Sequence, residues 1–100
     1  MDVKTNATLD LDGKTVVITG ASRGIGAETA RRMAAAGARV VVNYHGSEAA
    51  ANAVVSEIGE RAIAIRADVA DPAAVKRLIE AVVTRLGSID VLVNNAAIFE

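Results

Sequence analysis

Apolar residues fall along this chain in short runs and in helical stripes, taken in turn. Lys14-Thr15-Val16-Val17-Ile18-Thr19 is a β-branched run too brief for a helix, and it predicts a buried strand. A glycine-rich turn over Gly20–Gly26 follows, then strong helix formers from Ala27 to Ala36 that Gly37 stops. Ala38-Arg39-Val40-Val41-Val42-Asn43 predicts a second strand. Ser47 opens a second helix in which Ala51, Val54, Val55 and Ile58 recur at helical spacing up to Gly59. Arg61-Ala62-Ile63-Ala64-Ile65-Arg66 predicts a third strand. Asp71 is placed to cap a third helix, with Pro72 in its first turn. Val75, Leu78, Ile79, Val82, Val83 and Leu86 give that helix a stripe wide enough to lie on a sheet, and Gly87 closes it. Ile89-Asp90-Val91-Leu92-Val93-Asn94 predicts a fourth strand.

Strands that alternate with helices imply right-handed crossovers and an α/β fold with a parallel sheet, ordered 3-2-1-4. The strands read as buried on both faces, with the first two helices on one face and the third on the other. Strand four is then left as an open apolar edge, which a complete domain would hardly expose. Either further chain after Glu100 or another subunit is expected to cover it, and Val91, Leu92, Val93 and Phe99 are the expected seat of self-association as a homo-oligomer. Residues 1–12 read as a leader and 13–100 as the domain.

Composition narrows the partners. One hundred residues, 52% of them hydrophobic, suffice for one compact domain and exclude a second. The aromatic share is only 2%, so the core must be built from small and β-branched side chains. A net charge of -1 gives no footprint for nucleic acid or an anionic membrane. No cysteine is present, which removes disulfides, thiolate metal sites and a cysteine nucleophile, and fits a cytoplasmic setting. The polar N-terminus lacks the apolar core of a secretory signal, and no run reaches membrane-spanning length.

The spacing Gly20-x-x-x-Gly24-x-Gly26 carries the chemistry. Gly20 can turn the chain out of the strand, Gly24 leaves no Cβ between backbone and ligand, and Gly26 lets the helix approach the sheet. The unsatisfied N–H groups at the helix start then face an anion, which the helix dipole favours. An ordinary tight strand-to-helix turn is the alternative. Thr19-Gly20-Ala21-Ser22-Arg23-Gly24-Ile25-Gly26 resembles the cofactor motif of the short-chain dehydrogenase/reductase family. Asn94-Asn95-Ala96-Ala97 is similar to that family's Asn-Asn-Ala-Gly, and Asp68-Val69 to its adenine-contacting pair. The resemblance runs from about Gly13 to the end and is nearest in look to the beta-ketoacyl-carrier-protein reductase branch. It departs at Ala97, which adds a methyl near the expected cofactor path. It implies a Rossmann-type fold, of which this chain is the N-terminal half, and an oxidoreductase acting on a small-molecule carbonyl or alcohol. Ile25 falls inside the implied cofactor motif, and Asn95, Ala96 and Ala97 fall beside the cofactor.

An NAD-preferring site carries an acidic residue at the end of strand two, and Val42-Asn43-Tyr44-His45-Gly46-Ser47 has none. Arg23 suits phosphate oxygens, and Ser22, Asn43 and Ser47 can add neutral hydrogen bonds, so NADP(H) is favoured over NAD(H). Arg23 could instead be a solvated loop arginine, and Ser47 a helix cap. Asp68 either accepts from the adenine amino group, as the resemblance implies, or binds loop amides. Tyr44 and His45 are placed at the adenosine end. His45, the only histidine, has no partner at metal-ligand spacing.

The resemblance also implies a catalytic tyrosine with a lysine four residues later, a serine and a further asparagine, all beyond this stretch of the fold. Tyr44 is followed at that spacing by Glu48, whose charge would oppose phenolate formation, and Lys4, Lys14 and Lys76 have no tyrosine to match. The hundred residues alone are therefore expected to be inactive. A non-catalytic nucleotide-binding or assembly module completed by oligomerisation is the alternative from another class, and an adenosyl-binding methyltransferase sheet is a weaker third.

Overall fold

The structure is a computed structural model that describes residues 10–95. Ala96, Ala97, Phe99 and most of the expected leader lie outside the described residues.

Among the described residues four strands and three helices alternate: β1 (Thr15–Ile18), α1 (Gly24–Ala35), β2 (Arg39–Tyr44), α2 (Glu48–Ile58), β3 (Ala62–Arg66), α3 (Pro72–Leu86) and β4 (Val91–Val93). The sheet is parallel throughout and ordered β3-β2-β1-β4, as expected. Ile18 pairs with Val42 on one side and Val93 on the other, so the strands finish together at one edge. Strand alternation divides the core into two layers. Val16, Ile18, Val40 and Val42 face α1 and α2, where Ala27, Ala30, Ala51 and Val54 meet them. Val17 and Val41 face α3, against Ala74, Leu78 and Val82. Small helix residues let the helices lie close to a valine-rich sheet, which is how a chain with few aromatics fills its core. Leu11 already packs against the first layer and its N–H donates to the Ala36 carbonyl at 2.9 Å, so the folded unit takes in the last of the expected leader.

Three expectations change. Helix α1 starts at Gly24 rather than Ala27, which puts two of the loop glycines and Ile25 into its first turn. The central strands β1 and β2 are buried on both faces, but β3 and β4, as sheet edges, are only partly covered. The α3 stripe is narrower than the sequence suggests: Leu78 and Val82 are buried, whereas Ile79 and Val83 stand 43% and 44% exposed, and Leu92 of β4 is 58% exposed. The line that reaches this sheet face is Ala74-Leu78-Val82, with Leu86 partly buried at its end.

At the opposite edge the strand starts are pinned by polar groups. The Asp90 carboxylate accepts from the Thr15 N–H at 2.8 Å, and the Arg39 guanidinium donates to Thr15 Oγ1 and to the Leu86 carbonyl at 3.0 Å each. The helix α3 start follows expectation, with Asp71 Oδ1 accepting from the Ala73 N–H at 3.0 Å. Arg31 bridges α1 to Glu57 of α2 at 2.9 Å.

The narrower stripe has a measurable consequence. Leu78→Ala is expected to lower the unfolding free energy by about 3 kcal/mol in urea titrations, and Ile79→Ala by less than about 1 kcal/mol. Equal losses would mean that Ile79 is buried.

Candidate functional site

A parallel sheet delivers every strand's carboxyl end to one edge, and the strand order reverses between β1 and β4, where such folds form their ligand crevice. Here the segments after all four strands meet. The turn after β1 is held from both sides: the Gly20 N–H donates to Asn43 Oδ1 at 3.2 Å, and Asn95 Nδ2 donates to the Gly20 carbonyl at 3.0 Å. The Asn95 N–H in turn donates to Thr19 Oγ1 at 2.9 Å, and the Ala21 N–H to the Asn43 carbonyl at 2.9 Å. Strands β2 and β4 thus both grip the start of the glycine loop.

The glycines have distinct duties. Gly24 has φ +63°, a left-handed conformation that a side chain would strain, and a Cβ there would meet no protein atom within 4 Å. Its Cα therefore presents bare backbone to open space. Gly26 closes against its own loop: a Cβ would sit 2.7 Å from the Gly20 carbonyl oxygen, 2.9 Å from Ala21 Cα and 2.5 Å from Asn95 Nδ2. The expectation that Gly26 serves helix-to-sheet packing is refined by this geometry, since the close approach is to the turn and to Asn95. Arg23 occupies the N-cap position of α1 in an extended conformation and makes no side-chain cap. The first-turn N–H groups accordingly lack intrahelical partners and face outward with the positive end of the helix dipole. Ile25 stands 80% exposed beside them, and Ser22 is half-buried in the turn.

Arg23 and Ser47, chosen from separate segments, come together: Arg23 Nη2 donates to Ser47 Oγ at 2.7 Å. Ser47 sits at the N-cap position of α2 but makes no side-chain cap bond, so the capping alternative is not realised. No acidic residue lies between Val42 and Ser47, and Glu48 enters only as the exposed first residue of α2.

Other expected site residues fall differently. Asn43 is only 1% exposed, and its amide group is committed to the protein, so the expectation of a direct hydrogen bond to a ligand gives way to an internal role. The Tyr44 ring packs in the α1/α2 core layer, leaving its backbone at the strand end. His45 is exposed and its carbonyl accepts from Arg66 Nε at 3.0 Å. Asp68 Oδ1 accepts from the Ala70 N–H at 3.0 Å, the loop-amide alternative, while Val69 beside it is half-buried. His45, Ala67, Asp68, Asp71 and Arg77 border one groove of about 490 Å³ between the end of β3 and α3. Among the described residues no group of three His, Cys, Asp or Glu side chains is placed to hold a metal, and no helix is long and apolar enough to cross a membrane.

Sequence reasoning passed over Thr19 as the hinge between β1 and β4, and misjudged Asn43. The signal for Asn43 was present: a lone amide inside the apolar run Val40-Val41-Val42-Asn43-Tyr44 must find internal partners once buried.

Known proteins resemble this chain. The short chain dehydrogenase family model matches residues 14–100. A 3-oxoacyl-[acyl-carrier-protein] reductase of Staphylococcus aureus is 52% identical over 88 residues, which is 85% of this chain and 36% of that protein. A short chain dehydrogenase from Burkholderia cenocepacia, solved in complex with NADP, superposes with a TM-score of 0.84 at 52% identity, over 90% of this chain and 38% of that one. A 3-ketoacyl-(acyl-carrier-protein) reductase from Brucella melitensis complexed with NADH gives 0.78 at 40% identity, over 83% and 34%. The chain spans little more than a third of the length of these relatives.

Gly26→Ala is expected to cost about 1–3 kcal/mol in thermal or urea unfolding, because the backbone of Gly20 and Ala21, and not only the Asn95 side chain, blocks the methyl. Gly46→Ala, where a Cβ meets nothing within 4 Å, is expected to change stability by less than about 0.5 kcal/mol. Similar costs at both positions would contradict the close approach of α1 to its loop.

Proposed function

The chain belongs to the short-chain dehydrogenase family, and from that premise we propose that its residues form the NADP(H)-binding portion of an oxidoreductase that moves a hydride between a nicotinamide cofactor and a carbonyl or alcohol substrate. The observation that carries the proposal is the uncapped start of α1 beside the bare backbone at Gly24, with the Arg23–Ser47 pair next to it. A diphosphate fits there on chemical grounds: outward N–H groups, a helix dipole of the right sign, a guanidinium and no carboxylate in the loop.

When bound, the nicotinamide supplies or accepts the hydride. The residues of this chain bind and orient. The amides from Ser22 to Gly26 hold the diphosphate, and Ile25, exposed beside them, lies against the carbon skeleton of the cofactor. Arg23, helped by Ser47 and Ser22, holds the ribose 2'-phosphate. His45 and the Tyr44 backbone border the adenosine, and the second carboxylate oxygen of Asp68 accepts from the adenine amino group with Val69 alongside. Asn95, with Ala96 and Ala97, lies on the ribose side nearer the nicotinamide. Tyr44 is buried and faces no lysine at the required spacing, so we assign the proton-donating pair to sequence outside these hundred residues and turnover to the longer protein.

The preference for NADP(H) rests on this chain's own Arg23 and on the absence of an acid at the end of β2, because one similar protein was solved with NADP and another with NADH. A charge-assisted hydrogen bond contributes about 1.5–3 kcal/mol, so Arg23→Glu is expected to weaken NADPH binding by roughly ten- to a hundredfold more than it weakens NADH binding. Isothermal titration with each nucleotide reads this out. Equal losses for both would sink the 2'-phosphate assignment.

A further inference from the structure

We propose that Asn43 is a positioning residue that fastens the phosphate loop to the adenosine end of the site through one buried amide; the inference rests on the cofactor reading above. The side chain stands on the α3 side of β2, where Val41 also points, and is sealed from solvent. Its Oδ1 accepts from the Gly20 N–H at 3.2 Å. Its Nδ2 donates to the carbonyls of Ile65 and Ala67 at 3.3 and 3.2 Å. The backbone repeats the connection, since the Ala21 N–H donates to the Asn43 carbonyl and the Ala67 N–H to the Tyr44 carbonyl, both at 2.9 Å. One residue therefore spans from the first glycine of the loop to the residue before Asp68.

Two consequences follow from the geometry. The Gly20 N–H is already used by Asn43, so the phosphate-facing donors begin further along the loop. A buried amide also cannot distinguish the two nucleotides, because no ligand atom reaches it. Removing the amide takes a donor from the Ile65 and Ala67 carbonyls and leaves the Gly20 N–H without its acceptor in a dry site, and the chain relieves this by shifting Gly20 or Ala67. A shift of Gly20 disturbs the turn on which Gly26 rests, and a shift of Ala67 carries Asp68 with it.

The test compares Asn43→Ala with Arg23→Glu and with Val54→Ala, a buried substitution in α2 away from the loop, on protein shown to be folded by circular dichroism. For Asn43→Ala the affinities for NADPH and NADH are expected to fall together, each about tenfold, the worth of one strong hydrogen bond. Val54→Ala is expected to bind as the unaltered protein does. Unchanged affinity in folded Asn43→Ala would reduce the residue to a fold-stabilising role and overturn the proposal. A loss confined to NADPH would overturn it as well, by indicating direct contact with the 2'-phosphate. Failure of the unaltered protein to bind either nucleotide is a separate result that overturns the cofactor reading and this inference together. Should the alanine variant not fold, hydrogen exchange at the Gly20 amide of the unaltered protein decides. Adenosine carries no phosphate to touch the loop or Arg23, so its binding at the Asp68 end is expected to slow that exchange through Asn43, and an unaltered rate at saturating adenosine would overturn the coupling.

Discussion

The first turn of α1 rests on the backbone of the loop that precedes it, and only the missing side chain at Gly26 permits this. That contact sets the direction of the helix relative to the end of β1. It aims the uncapped N–H groups of the first turn out of the sheet edge, and it leaves Gly24 as bare backbone where a ligand can come close. Asparagines from β2 and from the segment after β4 hold the same turn, so a loop on the surface has the rigidity of the sheet behind it.

Much of the fold was legible because two periodicities suffice to state it. Runs such as Val40-Val41-Val42 are too short for helices and too apolar for loops, and the parallel order follows from helices standing between them. Strand alternation then places Val17 and Val41 on one face and Val16 and Val42 on the other without further information. What could not be read depended on partners far away in sequence. Ile79 and Val83 fit the helical stripe, but the sheet face below them is only half covered and α3 settles on the Leu78 line. The start of α1 at Gly24 is equally invisible to propensity, since a glycine at φ +63° counts against a helix until the preceding strand has fixed the loop.

The site shows the same division. The glycine spacing and the absence of an acid at the end of β2 are local facts, and they drew attention to the right edge of the sheet. Ser47 satisfies every local rule for a helix cap, yet its hydroxyl accepts from Arg23, twenty-four residues earlier. Asn43 looked like a ligand contact because it sits at a strand end. Burial makes it an internal brace, and its amide has no hydrogen-bonding capacity left for a phosphate. In both cases a side chain with several possible partners chose the one that only the tertiary fold supplies.

On the cofactor reading proposed above, the peptide amides of the glycine loop grip the diphosphate of an adenine dinucleotide. The most direct measurement follows the backbone amide resonances of the folded protein during titration with NADPH. Saturable shifts are expected, largest from Ser22 to Gly26, where the uncapped N–H groups lie. Absence of any shift up to about 1 mM nucleotide, a binding free energy weaker than about -4 kcal/mol, or shifts confined to residues away from this loop, would contradict it.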